Sequence, residues 1–215
     1  METLIVAGGE IDIEILQKIV KKNEKPNIIA VDKGLEALHQ LKIIPNHIVG
    51  DFDSILPQIL ASYKKLPQVV FHQFNAEKDN TDTDIALKLA IKLKSSRITI
   101  VGALGKRMDH AIANIHILKD ALEAKIPCQI VDKYNRIYLI DTSVSIKRNE
   151  AYGKYVSLIP LTSTVEGITL TGFKYTLDND NLSIGISLGI SNEIVEDIAH
   201  IDIKNGILIV IESND

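Results

Sequence analysis

Tryptophan is absent from the 215-residue chain, and cysteine occurs once, as Cys128. A single thiol excludes an intramolecular disulfide and any thiolate-rich zinc site. Aromatic residues are few, six tyrosines and four phenylalanines, and neither sign of charge dominates: 24 Lys+Arg stand against 28 Asp+Glu, a formal net charge of −4. That mild acidity argues against a nucleic-acid binder, which presents a basic face. No apolar run approaches the roughly 18 residues needed to cross a bilayer. No basic segment precedes a long apolar stretch at Met1-Glu2-Thr3, so a signal peptide is not expected. Repeats, low-complexity tracts and long linkers are lacking too. What is present is a globular composition, 46% hydrophobic and 24% charged. It suits a cytoplasmic protein of one large domain or two smaller ones.

Residues 1–135 alternate between strand and helix patterns. Thr3–Ala7 is a short apolar run closed by Gly8-Gly9, and Asn27–Val31, His47–Val49, Gln68–Phe74, Ile98–Val101 and Gln129–Val131 are further strand candidates. Between them, Ile13–Lys22, Leu35–Leu41, Asp82–Leu93 and Met108–Ala124 carry helical stripes. Continuously apolar strands alternating with helices predict an α/β domain with a mainly parallel, Rossmann-like sheet. From residue 136 to 215 the texture changes. Short runs at Arg136–Ile140, Tyr155–Ile159, Gly167–Leu170, Ser183–Leu188 and Ile207–Ile211 are separated by Gly, Asn, Asp, Ser and Thr. They predict an all-β sandwich, with a hairpin turn at Lys204-Asn205-Gly206.

Four polar clusters fall where predicted parallel strands end, the edge at which open α/β sheets bind ligands. They are Asp32-Lys33-Gly34, Gly50-Asp51-Phe52-Asp53-Ser54, Asp79-Asn80-Thr81-Asp82-Thr83-Asp84, and the segment from Gly102 through Gly105-Lys106-Arg107-Met108-Asp109-His110. An extended backbone would put Asp51 and Asp53 on one face and Phe52 on the other. Two carboxylates so close repel unless a cation relieves them, and an oxygen-lined pair suits Mg²⁺ with its waters and substrate phosphates. Thr81, Asp82 and Asp84 can simply cap a helix. Asp79 and Asp82 can also complete a metal site with Asp51 and Asp53, at a helix N-terminus that offers N–H groups to phosphate. The Gly102–Gly105 loop is not a Walker A motif, because Lys106 is followed by Arg107 and the glycine spacing differs. Arg107 is a fixed cation for phosphate oxygens. Asp109 can hold Arg107, join the metal shell or cap the next helix. So many converging carboxylates point to a nucleoside triphosphate bound as its Mg²⁺ complex, and to phosphoryl-type transfer.

Together with Asn114, the order and spacing of these clusters resemble thiamine pyrophosphokinase across roughly residues 1–125. Gly189-Ile190-Ser191-Asn192-Glu193 resembles that family's Ser-Asn motif at the thiamine site. The resemblance implies a homodimer with active sites between subunits, and the reaction ATP + thiamine → AMP + thiamine diphosphate. It implies that Asp51, Asp53, Asp79 and Asp82 handle Mg²⁺ and the triphosphate, with Arg107 beside them in catalysis. It places Asp32, Gly34, Thr81, Gly102, Gly105, Arg107 and Asp109 at the nucleotide, and Ser191 and Asn192 at thiamine. Two positions depart from the family pattern. Lys33 stands in the middle of a usual Asp-Gly-Gly turn, and Lys106 stands within a usual Gly-Gly-Arg. With no tryptophan, stacking on thiamine is expected from Phe173, Tyr175 or an aliphatic side chain. A diphosphokinase for another hydroxymethyl heterocycle, such as a pterin, and a nucleotide-binding regulatory module are the alternatives.

Overall fold

The computed structural model describes residues 1–22, 25–74 and 79–215. The chain divides into two compact units, Met1–Lys133 and Tyr134–Asp215.

In the first unit, strands β1 (Glu2–Val6), β2 (Asn27–Val31), β3 (His47–Gly50), β4 (Val70–Gln73), β5 (Arg97–Val101) and β6 (Cys128–Val131) alternate with helices α1 (Ile13–Lys22), α2 (Gly34–Gln40), α3 (Pro57–Tyr63), α4 (Asp82–Lys92) and α5 (Met108–Glu123). All the pairings are parallel, in the order β6-β5-β1-β2-β3-β4. β2 reads buried at every position because helices cover both faces. Leu4, Val6, Leu16, Ile28, Ala30, Leu35, Leu38 and Ile48 form one continuous core with Phe52 and Tyr63. Burying each large aliphatic side chain contributes about 1.5–3 kcal/mol. α3 has no counterpart in the sequence expectations. It spans seven residues and begins at Pro57.

The chain lays down β2, β3 and β4 on one side of β1, then returns to place β5 and β6 on the other. The β1 and β5 exits therefore diverge, and a crevice opens between them at this topological switch point.

The second unit contains β7 (Asn135–Ile140), β8 (Val144–Lys147), a 3₁₀ turn (Arg148–Glu150), β9 (Tyr155–Pro160), β10 (Thr164–Thr171), β11 (Leu177–Ser183), β12 (Asn192–Glu193), β13 (Ile198–Asp202) and β14 (Leu208–Ser213). They form two antiparallel layers, β12-β9-β14-β7 and β11-β10-β13-β8. Val156, Leu158, Leu208 and Val210 from one layer meet Val165, Ile168, Leu182 and Ile201 from the other in a single core. This is the expected sandwich.

Two expectations inside it are corrected. Asn205-Gly206 is not a hairpin: β13 pairs with β10 and β8, whereas β14 pairs with β7 and β9, so the turn carries the chain from one layer to the other. Ser183–Leu188 is not a strand beyond its first residue. β11 lies upstream at Leu177–Ser183, and the alternating Ile184, Ile186 and Leu188 are 65%, 54% and 62% exposed.

Candidate active site

At the switch point the backbones pack against one another without intervening side chains. Ala7 N–H donates to Val101 O at 2.8 Å, and Gly9 N–H to Gly102 O at 2.9 Å. A Cβ at Gly34 would overlap the Val6 carbonyl, one at Gly9 would overlap the Gly102 carbonyl, and Gly102 adopts φ +69°. Glycine is required here because the strand-end loops approach backbone to backbone.

The crevice has a volume of about 1110 Å³. Four loops build it: Gly8-Gly9-Glu10 after β1, Asp32-Lys33 after β2, Asp79 through Thr83 at the start of α4, and Gly102 through Arg107 after β5, with Ser54, His110 and Asn114 at its walls. Thus Asp32, Asp79, Thr81, Asp82, Gly102, Gly105 and Arg107 line one space. The sequence marks the Gly8-Gly9 loop only as a turn. Its signal was a glycine pair between an apolar strand and a helix, the arrangement that frees N–H groups for phosphate.

Asp51 and Asp53 do not line the crevice itself but are tied to its edge. Gly50 leads into a turn rather than the expected extended segment: Phe52 takes φ +69°, and Asp53 N–H donates to Asp51 Oδ1 at 3.1 Å. Phe52 is buried, edge-on to Phe71 at 6.0 Å. The turn thereby leaves both carboxylates outside the core. Hydrogen bonding and repulsion from Asp51 hold the Asp53 carboxyl above its ordinary pKa; Asp82 adds repulsion, and Lys33 opposes it. Asp53, Asp82 and Lys33 therefore share one electrostatic neighbourhood.

The acidic helix start serves two purposes. Thr81 Oγ1 accepts the Asp84 N–H at 3.3 Å and caps α4. Asp84 is buried, bonded to Asn80 and to Lys88 Nζ at 3.0 Å. Asp82 stays at the crevice. After β5, Arg107 Nε donates to Asp109 Oδ1 at 3.2 Å, and its NH2 group bonds Oδ2. This bidentate pair pulls the Asp109 carboxyl down to about 2. Of the three roles open to Asp109, it holds Arg107. Buried Asn114 donates to Ala103 O at 2.7 Å and pins the loop from below.

In the second unit, Ser191 adopts φ +57° and its N–H donates to Ser157 Oγ at 3.0 Å. Asn192 is buried. Its Oδ1 accepts from Tyr175 N–H at 3.0 Å and Glu193 N–H at 2.9 Å, and its Nδ2 donates to Tyr175 O at 2.7 Å. The amide thus clamps the Tyr175 backbone. Phe173 is 4% exposed within the core, whereas Tyr175 is 62% exposed with Lys174 Nζ 5.6 Å from its ring centre. Of the two aromatic stacking candidates, only Tyr175 offers a face.

Among the described residues, no helix is long and apolar enough to cross a membrane.

Two family models match the chain. One, described as thiamin pyrophosphokinase, catalytic domain, matches residues 17–130; the other, thiamin pyrophosphokinase, vitamin B1 binding domain, matches residues 141–208. The chain is 36% identical over 216 residues to thiamine pyrophosphokinase of Bacillus subtilis (strain 168), with 100% of each covered. The crystal structure of the Bacillus subtilis thiamine pyrophosphokinase aligns at a TM-score of 0.90, covering 100% of both chains at 36% identity. That of the Geobacillus thermodenitrificans thiamin pyrophosphokinase aligns at 0.86 and 32% identity, covering 100% of this chain and 98% of the other.

Proposed function

The chain belongs to the thiamine pyrophosphokinase family, and we propose that the crevice at the β1/β5 switch point is where it binds the triphosphate of ATP for diphosphoryl transfer. ATP and thiamine are its substrates, and thiamine diphosphate with AMP its products. The pterin reading is not favoured. One observation carries the placement: glycine-rich strand ends and the N-termini of α4 and α5 open on one space beside an acidic turn.

Among the described residues, no three His, Cys, Asp or Glu side chains stand close enough to hold a metal by themselves. Mg²⁺ needs no such cage, because it keeps several waters and binds through one or two carboxylates plus phosphates. The donor set fits: Asp51 and Asp53 are oxygen ligands whose mutual repulsion a divalent cation relieves. We assign Asp51 and Asp53 as the main metal-binding carboxylates, supported by Asp79 and Asp82. The bound ion supplies charge neutralisation for the triphosphate.

The chain's own groups hold and orient the reactants. Backbone N–H groups of the Gly102–Gly105 loop face phosphate oxygens, while Gly9, its own N–H held by Gly102 O, keeps the crevice wall thin; the Thr81 hydroxyl, whose oxygen is already an acceptor, donates its proton to one phosphate oxygen. Asp32 and Gly34 shape the nucleotide side. Arg107, oriented by Asp109, offsets charge as it develops on the transferred group. The primary hydroxyl of thiamine attacks the β-phosphorus in line, the bond from that phosphorus to the oxygen shared with the α-phosphorus breaks so that AMP leaves, and a carboxylate of the Asp53/Asp82 pair takes the hydroxyl proton. Ser191 contacts thiamine, and Asn192 holds Tyr175 as the stacking surface. Consumption of ATP supports a cytoplasmic setting. A homodimer with active sites at the subunit interface is supported by the exposed run Ile184, Ile186, Leu188 and Ile190, too apolar for a solvated loop.

The test is product analysis. Protein, Mg²⁺, ATP and thiamine should yield AMP and thiamine diphosphate in equal amounts. ADP in place of AMP would overturn the diphosphoryl assignment.

A further inference from the structure

β3 and β4 each present one histidine on the same face of the sheet. The parallel register pairs His47 with Val70 and Val49 with His72, so the two imidazoles lie diagonally across the strand pair. Nδ1 of His47 stands 3.1 Å from Nε2 of His72, with ring centres 5.2 Å apart and planes tilted by 45°. Both residues are half-buried, and neither lines the crevice.

We propose that His47 and His72 form a two-imidazole site for a borderline divalent transition ion, of the Cu²⁺, Ni²⁺ or Zn²⁺ class, at the edge of the N-terminal sheet and apart from the Mg²⁺ carboxylates. The bite is right without strand movement. Two nitrogens 3.1 Å apart, each about 2.0–2.1 Å from one ion, subtend about 100° at that ion, between the square and tetrahedral values. Water fills the remaining positions. Imidazole selects such ions over Mg²⁺, which prefers oxygen.

The protonation state also fits. Burial lowers the pKa of both rings; His72 adds repulsion at His47, and Lys92 does so at His72. Both imidazoles are therefore neutral near pH 7. The hydrogen bond between them places a proton on one of the two facing nitrogens, and a change of that ring's tautomer frees its lone pair with no net loss of a proton. Lys92 opposes binding, as a cation near the site that weakens it without blocking it.

The site has a mechanical consequence. β4 is the last strand in the order, four residues long, and it carries Phe71, against which Phe52 packs. β3 runs directly into Gly50 and Asp51. An ion across His47 and His72 ties together the two strands that seat the Asp51–Asp53 turn.

The experiment is calorimetric titration of the full chain with Ni²⁺, Cu²⁺ and Zn²⁺ in excess Mg²⁺, which occupies the carboxylates. Wild type should bind one ion, Cu²⁺ most tightly. His47→Gln and His72→Gln should each weaken binding by about tenfold or more, while His116→Gln, on exposed α5 surface, should not. Ni²⁺ should raise the melting temperature of wild type and of neither site variant. No binding by wild type, unchanged binding in both site variants, or displacement of the ion by Mg²⁺ would each overturn the site. Electron paramagnetic resonance of Cu²⁺ on the unmodified chain gives a reading independent of variant folding. Coupling to two imidazole nitrogens is expected, and an all-oxygen spectrum would overturn the proposal.

Discussion

Gly50 and the carboxylate of Asp32 claim the same space: a Cβ at position 50 would overlap Asp32 Oδ1. Asp32 itself takes φ +45°, and its N–H donates to Val49 O at 3.1 Å, so β2 and β3 fix its backbone. The absence of a side chain at Gly50 is what lets the carboxylate lie over the neighbouring strand. Gly50→Ala should move Asp32 and cost about 1–3 kcal/mol in urea unfolding. Its KM for ATP should rise more than its KM for thiamine. An alanine variant with wild-type kinetics would show that Asp32 does not work from this position.

Asp51→Asn and Asp53→Asn should each abolish AMP release while leaving the circular dichroism spectrum unchanged. Neither side chain supports the core, and each substitution relieves repulsion, so the melting temperature should hold or rise. Near wild-type turnover in either variant would remove that residue from the metal assignment.

Asn192 and Ser191 are adjacent, yet their predicted phenotypes differ. Asn192→Ala frees the Tyr175 backbone by removing three hydrogen bonds. It should raise KM for thiamine and lower stability by about 1–3 kcal/mol. Ser191→Ala keeps the backbone bond to Ser157 and should change KM for thiamine alone. Steady-state kinetics with thiamine varied, alongside denaturant melts, separates the two.

Glu212 is fully buried and bonded to Arg136 through Nε at 3.0 Å, with its other oxygen accepting the Tyr152 N–H at 2.8 Å. Glu212→Ala takes the carboxylate away from Arg136, which keeps only its bond to Glu150 O, and removes the acceptor of the Tyr152 N–H, at a cost of about 1–3 kcal/mol. The double variant Arg136→Met/Glu212→Leu should be less destabilised than Glu212→Ala, since an apolar pair carries no stranded charge. Denaturant midpoints of the single and double variants check both statements.

The His47/His72 pair should make stability depend on pH in a known direction. Both folded-state pKa values lie below the ordinary 6.5, so the unfolded chain binds protons first as pH falls. The contribution is fully present above 6.5 and is lost as pH drops from there through the lowered folded values. Melting temperature measured in metal-free buffer between about pH 7.5 and 5 should decline, and His72→Gln should flatten that decline. An equal slope in the variant would place the titration elsewhere.

Much of this protein is written in local pattern. Continuously apolar strands such as Asn27–Val31, long stripes such as Met108–Glu123, and glycine–acid clusters at strand ends are decided by neighbours within a few residues, so they are legible before folding. The Asp51, Asp53, Asp79, Asp82 and Arg107 candidates came from that same local signal. Three kinds of feature needed the tertiary structure. Asn205-Gly206 has hairpin chemistry, but strand pairing sends the flanking runs to different layers, and pairing is a long-range choice. Ile184, Ile186 and Leu188 alternate like a strand, yet the strand that pairs with β10 is Leu177–Ser183, whose Leu182 enters the core with Leu177 packed against it, while its polar residues suit an edge strand. Phe173 and Tyr175 are equivalent as residue types, and only packing buries one and exposes the other. The meeting of His47 with His72 is of the same kind. Twenty-five positions apart in sequence, they become neighbours solely because β3 and β4 lie side by side, and local sequence carries no term for that.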